Sequence, residues 1–269
     1  RICGVCPLAH HVAAGKAGDA VYHVDPPSAA KKLRELLYAS FFVADHATHF
    51  YALAAPDFVV GPEAPKAQRN LLGLIQKVGQ DTGARVVQLL QENHEIAAIV
   101  AGRYIHSVSC VIGGMSKPIT EEERERIAEI AERSVETAEF SLQLFDDVVL
   151  QNQGYVDMIL SDAFAHETYY MGLVDEENRI NFYDGQVRVV GPDGKELLKY
   201  SPDEYLDVVA EHVEPWTYLK FPYLKQVGWK GFVDGPDSGV YRATPLSRLN
   251  AADGMATPKA QAEYEHFYD

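Results

Sequence analysis

The stretch spanning residues 28–55 constrains the fold more than any other part of the chain. Pro27 and Ser28 open it, and Pro56 and Asp57 close it. Proline suits the first turn of a helix and breaks its interior, so the spacing predicts one long helix between these stops. Leu33, Leu36, Leu37, Phe41, Val43, Ala44, Ala47, Phe50, Tyr51 and Leu53 cover nearly its whole circumference. A helix that is apolar all round has no face to offer water, and belongs at the centre of a larger assembly. Its partners are read from the flanking text: an Ala-rich helix over 8–24, and helices over 67–78 and from 84 to about 107. Thr120-Glu121-Glu122-Glu123 carries the pattern of a capping box, with Thr120 as N-cap. The helix it opens reaches about residue 150 and shows Ile127, Ile130, Ala131, Val135, Ala138 and Leu142 at helical spacing. Its acidic run, 121–132, reads as a solvated outer face.

Beyond residue 150 the pattern changes. Ile180-Asn181-Phe182-Tyr183 and 186–190 read as short strands, with tight turns at Asp184-Gly185 and Pro192-Asp193-Gly194. Ser201-Pro202-Asp203-Glu204 starts a short helix, 216–242 reads as irregular chain with short strands, and a last helix begins near Thr257-Pro258. No internal repeat or linker interrupts the text. The expectation is an α-rich α+β fold, a buried long-helix bundle with small β-hairpin elements, in a single domain over 1–269.

Charge and cysteine content exclude several roles. The 24 Lys+Arg against 39 Asp+Glu give a net charge of −15, so neither duplex nucleic acid nor an anionic membrane surface is expected as a partner, since binding would begin with like-charge repulsion. No run approaches the roughly 18–20 apolar residues of a membrane span. Three cysteines cannot build a disulfide framework. The chain opens Arg1-Ile2-Cys3, with no initiator Met and with a motif already under way, and reads as an internal piece of a longer protein.

That motif, Arg1-Ile2-Cys3-Gly4-Val5-Cys6-Pro7-Leu8-Ala9-His10-His11, is the sharpest chemical signal. Cysteines at i and i+3 on a turn point their sulfurs to one side, and His10, four residues past Cys6, lies on the same helical face. One metal ion could accept both thiolates. A pair of structural cysteines, a zinc site and a redox dithiol are the alternatives. Zinc prefers four ligands, with a second pair downstream, and only Cys110 remains. A redox CxxC prefers a strand leading into it, whereas this neighbourhood reads as helix.

The longer string closely resembles the amino-terminal cysteine motif of NiFe hydrogenase large subunits. The resemblance implies that Cys3 is a terminal nickel ligand, that Cys6 bridges nickel and iron, and that His10 donates a hydrogen bond to the bridging sulfur. Asp45-His46-Ala47-Thr48-His49-Phe50-Tyr51 is similar to the family segment that carries an active-site aspartate, which maps onto Asp45. A carboxylate on an apolar helix is costly unless something pairs with it, so Asp45 needs a reason to be there. His49, one turn on, is expected to hydrogen-bond within the core. Gly102-Arg103-Tyr104-Ile105-His106 with Gly113-Gly114 resembles a further family segment, with Ser107 where proline is usual; Arg103 and His106 are expected to pack near the cofactor cavity or its channels. Cys110 is read as a small core residue. Tyr218-Leu219-Lys220-Phe221-Pro222-Tyr223 and the text from Gly239 to Pro258 resemble cytoplasmic, multi-subunit hydrogenases, with a leaning to the methyl-viologen-reducing and sulfhydrogenase-like branches.

The resemblance implies the hydrogenase large-subunit fold and a Ni–Fe centre whose iron carries CO and CN ligands. It further implies reversible heterolytic cleavage of dihydrogen, with electrons passing to an iron–sulfur small subunit. A further module, accepting electrons in the manner of the NAD(P), deazaflavin or heterodisulfide reductase types, would follow. The family's second CxxC, the arginine above the metals and the proton-relaying glutamate are not in these 269 residues, so the chain reads as the central portion of the large subunit. The rival readings are the quinone-site-type subunit of respiratory complex I, which shares the fold but typically lacks the metal-binding cysteines, and a non-catalytic metal-binding interaction module.

Overall fold

Helix dominates the first 160 residues, as the spacing of apolar side chains requires. The computed structural model describes residues 3–163 and 165–268. The chain divides into two units, Arg1–Leu160 and Ser161–Asp269. The first unit holds α1 (Pro7–Tyr22), α2 (Ser28–Thr48), α3 (Leu71–Val78), α4 (Gln80–Ala101), α5 (Glu121–Phe145) and α6 (Gln153–Ile159). A two-residue antiparallel ladder, β1 (Cys110–Val111) with β2 (Gly114–Met115), joins α4 to α5.

Segment 28–55 is helical throughout, but α2 gives way after Thr48 to wider π-type turns over His49–Ala54 and again over Pro56–Val60. Pro56 has no N–H for the carbonyl one turn back, and widening the turn accommodates that loss. Leu37, Phe41, Ala44 and Tyr51 are buried, and Leu33, Leu36, Val43, Ala47 and Phe50 are half-buried. Leu53 is 66% exposed. The helix is therefore core-facing over most of its circumference, with a strip through Glu35, Ala39, His46 and His49 turned outward.

The Thr120 capping box forms as expected. Glu123 N–H donates to Thr120 Oγ1 at 3.1 Å, and Thr120 N–H donates to Glu123 Oε2 at 2.8 Å. The charges of α5 are not all solvated: Arg126 makes two 2.8 Å bonds to Glu95 of α4, and Arg133 pairs with Glu92. Helix α3 starts at Leu71, not 67, because Asn70 caps it by accepting from Leu72 and Gly73 N–H.

An ion pair fixes the short ladder onto the helices. Arg34 of α2, 1% exposed, donates to Asp19 Oδ2 of α1 at 2.5 Å. It also donates to the Val111 and Gly114 carbonyls at 2.8 and 2.9 Å. Asp19 Oδ1 accepts from Gly113 N–H at 2.7 Å. Burial alone would push the Asp19 carboxyl up, but the bonds from Arg34 and Gly113 outweigh it and hold the group below the usual carboxylate range.

In the second unit, β3 (Tyr169–Val174), β4 (Gln186–Val190), β5 (Glu196–Tyr200) and β8 (Tyr241–Arg242) form a sheet of order β5-β4-β3-β8. All its pairs are antiparallel except β3 with β8. A separate hairpin pairs β6 (Val209–Val213) with β7 (Lys220–Leu224). Short helices α7 (Tyr205–Val208) and α8 (Pro245–Asn250), then α9 (Pro258–Tyr268), complete it. Residues 180–183 form only an isolated bridge, Ile180 to Val174, because the Asn181 side chain accepts the Tyr183 and Asp184 amides and turns the chain. Gly185, at φ +135°, makes the expected turn. Among the described residues no helix is long and apolar enough to cross a membrane.

Candidate metal centre

Residues 3–6 make a turn that feeds directly into α1, with Cys6 as the residue before the helix and Pro7 at its first position. Pro7 lacks an N–H at a position where none is needed, so the motif starts the helix without cost. Cys6 N–H donates to Cys3 Sγ at 3.1 Å, and His10 N–H donates to the Cys6 carbonyl at 3.4 Å. Helical spacing then brings His10 back over the cysteines, and the ligand atoms of Cys3, Cys6 and His10 all lie within 4.8 Å of one another. Both cysteines are half-buried, and His10 is exposed. Arg1 and Ile2 lie outside the described residues.

The two thiols are shifted in opposite directions. The hydrogen bond from the Cys6 side chain, followed by its amide, pulls Cys3 below the ordinary thiol value, and the same side-chain bond followed by burial pushes Cys6 up. The negative charge of Asp45 raises both. Asp45 is half-buried on α2. Two thiols and an imidazole are soft and borderline donors, suited to nickel, iron or zinc and unsuited to magnesium or calcium. The residues present fit a Ni–Fe centre as one half of its thiolate set.

A stacked pair elsewhere in the first unit carries no signal of spacing in the sequence. Tyr104 stacks on His94 of α4, ring centroids 3.7 Å apart and 22° between planes. Burial, then the charges of Asp45 and Cys6, push the Tyr104 phenol up, and burial pushes His94 down. The signal available was an aromatic inside the Gly102–His106 string, between two residues that drew attention instead. Arg103 and His106 are exposed, and Arg103 Nε donates to the His106 carbonyl at 2.8 Å, bracing its own loop. Ser107, in place of the usual proline, is buried and donates to the Arg103 carbonyl at 2.7 Å, closing the same loop by a hydrogen bond. His49 is exposed, so the hydrogen bond expected within the core is replaced by a solvent-facing ring. Cys110 stands apart from the cluster on β1, its thiol pushed up to about 11 chiefly by burial.

Comparison with known proteins extends what the site suggests. The profile described as nickel-dependent hydrogenase matches residues 1–89. The chain is 44% identical over 268 residues to an iron-sulfur subunit of the F420-non-reducing hydrogenase of Archaeoglobus profundus, covering 100% of this chain and 55% of that protein. It is 41% identical over 269 residues to a vhu subunit of the F420-non-reducing hydrogenase of Methanocaldococcus jannaschii, covering 100% and 61%. This chain belongs to the nickel-dependent hydrogenase family. The structure of an NAD+-reducing NiFe hydrogenase in the H2-reduced state superposes with a TM-score of 0.89 at 33% identity, covering 99% of this chain and 57% of that one. A Ni-Fe-Se hydrogenase from D. vulgaris Hildenborough, 21% identical with a TM-score of 0.69 over 96% of this chain and 56% of that one, shares the fold. The α-rich hydrogenase fold is thus the one expected from sequence. The chain spans a little over half the length of the family members it matches.

Proposed function

We propose that this chain is part of the catalytic large subunit of a NiFe hydrogenase, in which Cys3 and Cys6 supply one half of the thiolates that hold a Ni–Fe centre. The observation that carries the reading is the convergence of Cys3, Cys6 and His10 within 4.8 Å at the start of α1, in a chain of the nickel-dependent hydrogenase family. The chemistry that such a centre supplies when bound is Lewis-acid polarisation of dihydrogen and a store for its electrons; by the family resemblance its iron would carry CO and CN. The protein residues have separable tasks. Cys3 and Cys6 would bind as thiolates, His10 would donate to the Cys6 sulfur and tune its basicity, and Asp45 would add a small negative contribution at both sulfurs. Within the longer subunit, Asp45 would organise an arginine at the centre supplied by the rest of the chain. The activity is reversible heterolytic cleavage of H2. Electrons leave to an iron–sulfur small subunit, then to an acceptor module of the NAD(P), deazaflavin or heterodisulfide reductase type, in the cytoplasm.

The test is hydrogen–deuterium exchange by the purified intact complex, with nickel and iron measured on the same sample. Exchange that scales with nickel supports the reading. A nickel-free protein, or a nickel-loaded one with no exchange under reducing, oxygen-free conditions, overturns it.

A further inference from the structure

The start of α1 has no capping side chain: Cys6 accepts no helix N–H with its own side chain. The Cys6 carbonyl ties His10 into the first turn, but no side chain clamps that turn from within the helix, and a contact from outside α1 must help to set its rotation and height. One face of α1 does this against the β1–β2 ladder. His11, Gly15 and Asp19 recur at i, i+4 and i+8, which stacks them in one stripe. At the far end of the stripe Asp19 holds the Gly113 amide and Arg34. In the middle, a methyl on Gly15 would come within 3.2 Å of the Cys110 Cβ, and one on Gly18 within 2.8 Å of Ile112 Cγ1, so helix and ladder are in contact. At the near end the Cys110 N–H donates to His11 Nε2 at 2.9 Å. His11 is half-buried and immediately follows His10.

We propose that His11 is the positioning residue that fixes the metal-binding turn, by accepting the Cys110 amide and so holding the first turn of α1 against the ladder. The bond fixes the tautomer: Nε2 is the acceptor, so the proton lies on Nδ1. Because the Asp19 anchor lies two helical turns away, losing the His11 bond frees the ligand-bearing end while the rest of α1 stays docked. Cys6 and His10 then sample several orientations. The consequence for the metal rests on the function proposed above; the consequence for the backbone does not.

Two variants in the intact, nickel-loaded subunit separate these. His11→Ala removes the acceptor, and His11→Gln restores one through its side-chain oxygen. Amide hydrogen exchange should rise over residues 6–10 and at Cys110 in H11A, stay near wild type around Asp19, and return towards wild type in H11Q. Loss of nickel to a chelator should quicken about tenfold or more in H11A, in the range found when outer partners of metal ligands are removed, with a broadened nickel electron paramagnetic resonance signal that H11Q sharpens again. Unchanged exchange and unchanged nickel loss in H11A would overturn the proposal, as would an H11Q protein no better than H11A. If H11A fails to fold, H11Q decides alone: wild-type exchange at Cys110 and a sharp nickel signal support the role, and a broadened signal despite a folded protein overturns it. A wild-type protein with no nickel, but with the exchange pattern as described, would count against the functional reading and leave the positioning role standing.

Discussion

Serine in place of Cys3 or Cys6 keeps the size of the side chain and removes the soft, readily ionised donor. In the intact protein either change should abolish nickel incorporation, read as nickel per polypeptide; normal nickel with retained hydrogen uptake would refute their assignment as ligands. His10→Ala should leave most of the nickel in place and lower turnover, since a hydrogen bond to sulfur is lost and not a ligand. Asp45→Asn keeps the shape and removes the charge that acts on both sulfurs. Folding and nickel content should survive while the exchange rate per nickel falls roughly 10–100-fold, about 1.4–2.7 kcal/mol of transition-state stabilisation; an unchanged rate per nickel would leave Asp45 a structural role only. Cys3, Cys6 and His10 could be picked out as a group, paired cysteines and a histidine at the head of a helix. A carboxylate on an apolar helix reads by itself as an ordinary one on its least buried side, and only the family resemblance singled out Asp45. Tyr104, His94 and His11 could not be picked out, because nothing in their own segments is anomalous. What distinguishes them is which distant backbone or ring they meet.

The ladder β1–β2 is held at the scale of elements by one buried ion pair, and its pH dependence has a definite sign. The folded Asp19 carboxyl titrates below the ordinary value of the unfolded chain. Its stabilising effect is therefore present above that ordinary value and is lost as the pH falls through the folded one. Asp19→Asn should cost about 3–5 kcal/mol at neutral pH, since it leaves Arg34 buried without its counter-charge. In denaturant titrations the gap between wild type and D19N should narrow as the pH drops; a gap that is constant with pH would mean that the carboxylate charge contributes little. Thr120→Ala, which removes the α5 cap, should cost about 1 kcal/mol. The two devices differ in legibility. The capping box is a four-residue pattern and could be read directly. The ion pair joins residues 15 apart to carbonyls near 80 residues further on, and no local spacing announces that. Strand β3 escaped for a related reason: its parallel neighbour β8 is over 60 residues away, and Gly172, where a Cβ would sit 3.1 Å from Arg248 Cα, reads locally as a strand breaker although it lets α8 approach.

Across these 269 residues the charge is −15. The chain spans a little over half the length of its relatives, so part of the surface around the half-buried cysteines and His10 is left for the rest of the subunit to cover. A centre that exchanges electrons needs a neighbour close by, because electron transfer weakens steeply with distance. An iron–sulfur subunit is therefore expected to dock within electron-transfer reach of residues 3–10 in the intact complex. Its contact surface should carry a net positive or neutral balance, since a strongly acidic one would meet repulsion from this chain. Cross-linking of the purified complex, followed by peptide mapping, should place the cluster-bearing partner near the first turn of α1. If electrostatics steers that encounter, the association rate should fall as salt rises, while the dissociation rate of the complex changes much less. Cross-links confined to the second unit would move the docking site away from the cysteines. A large subunit that delivers electrons from H2 to an external dye at full rate with no cluster-bearing partner would remove the need for that neighbour altogether.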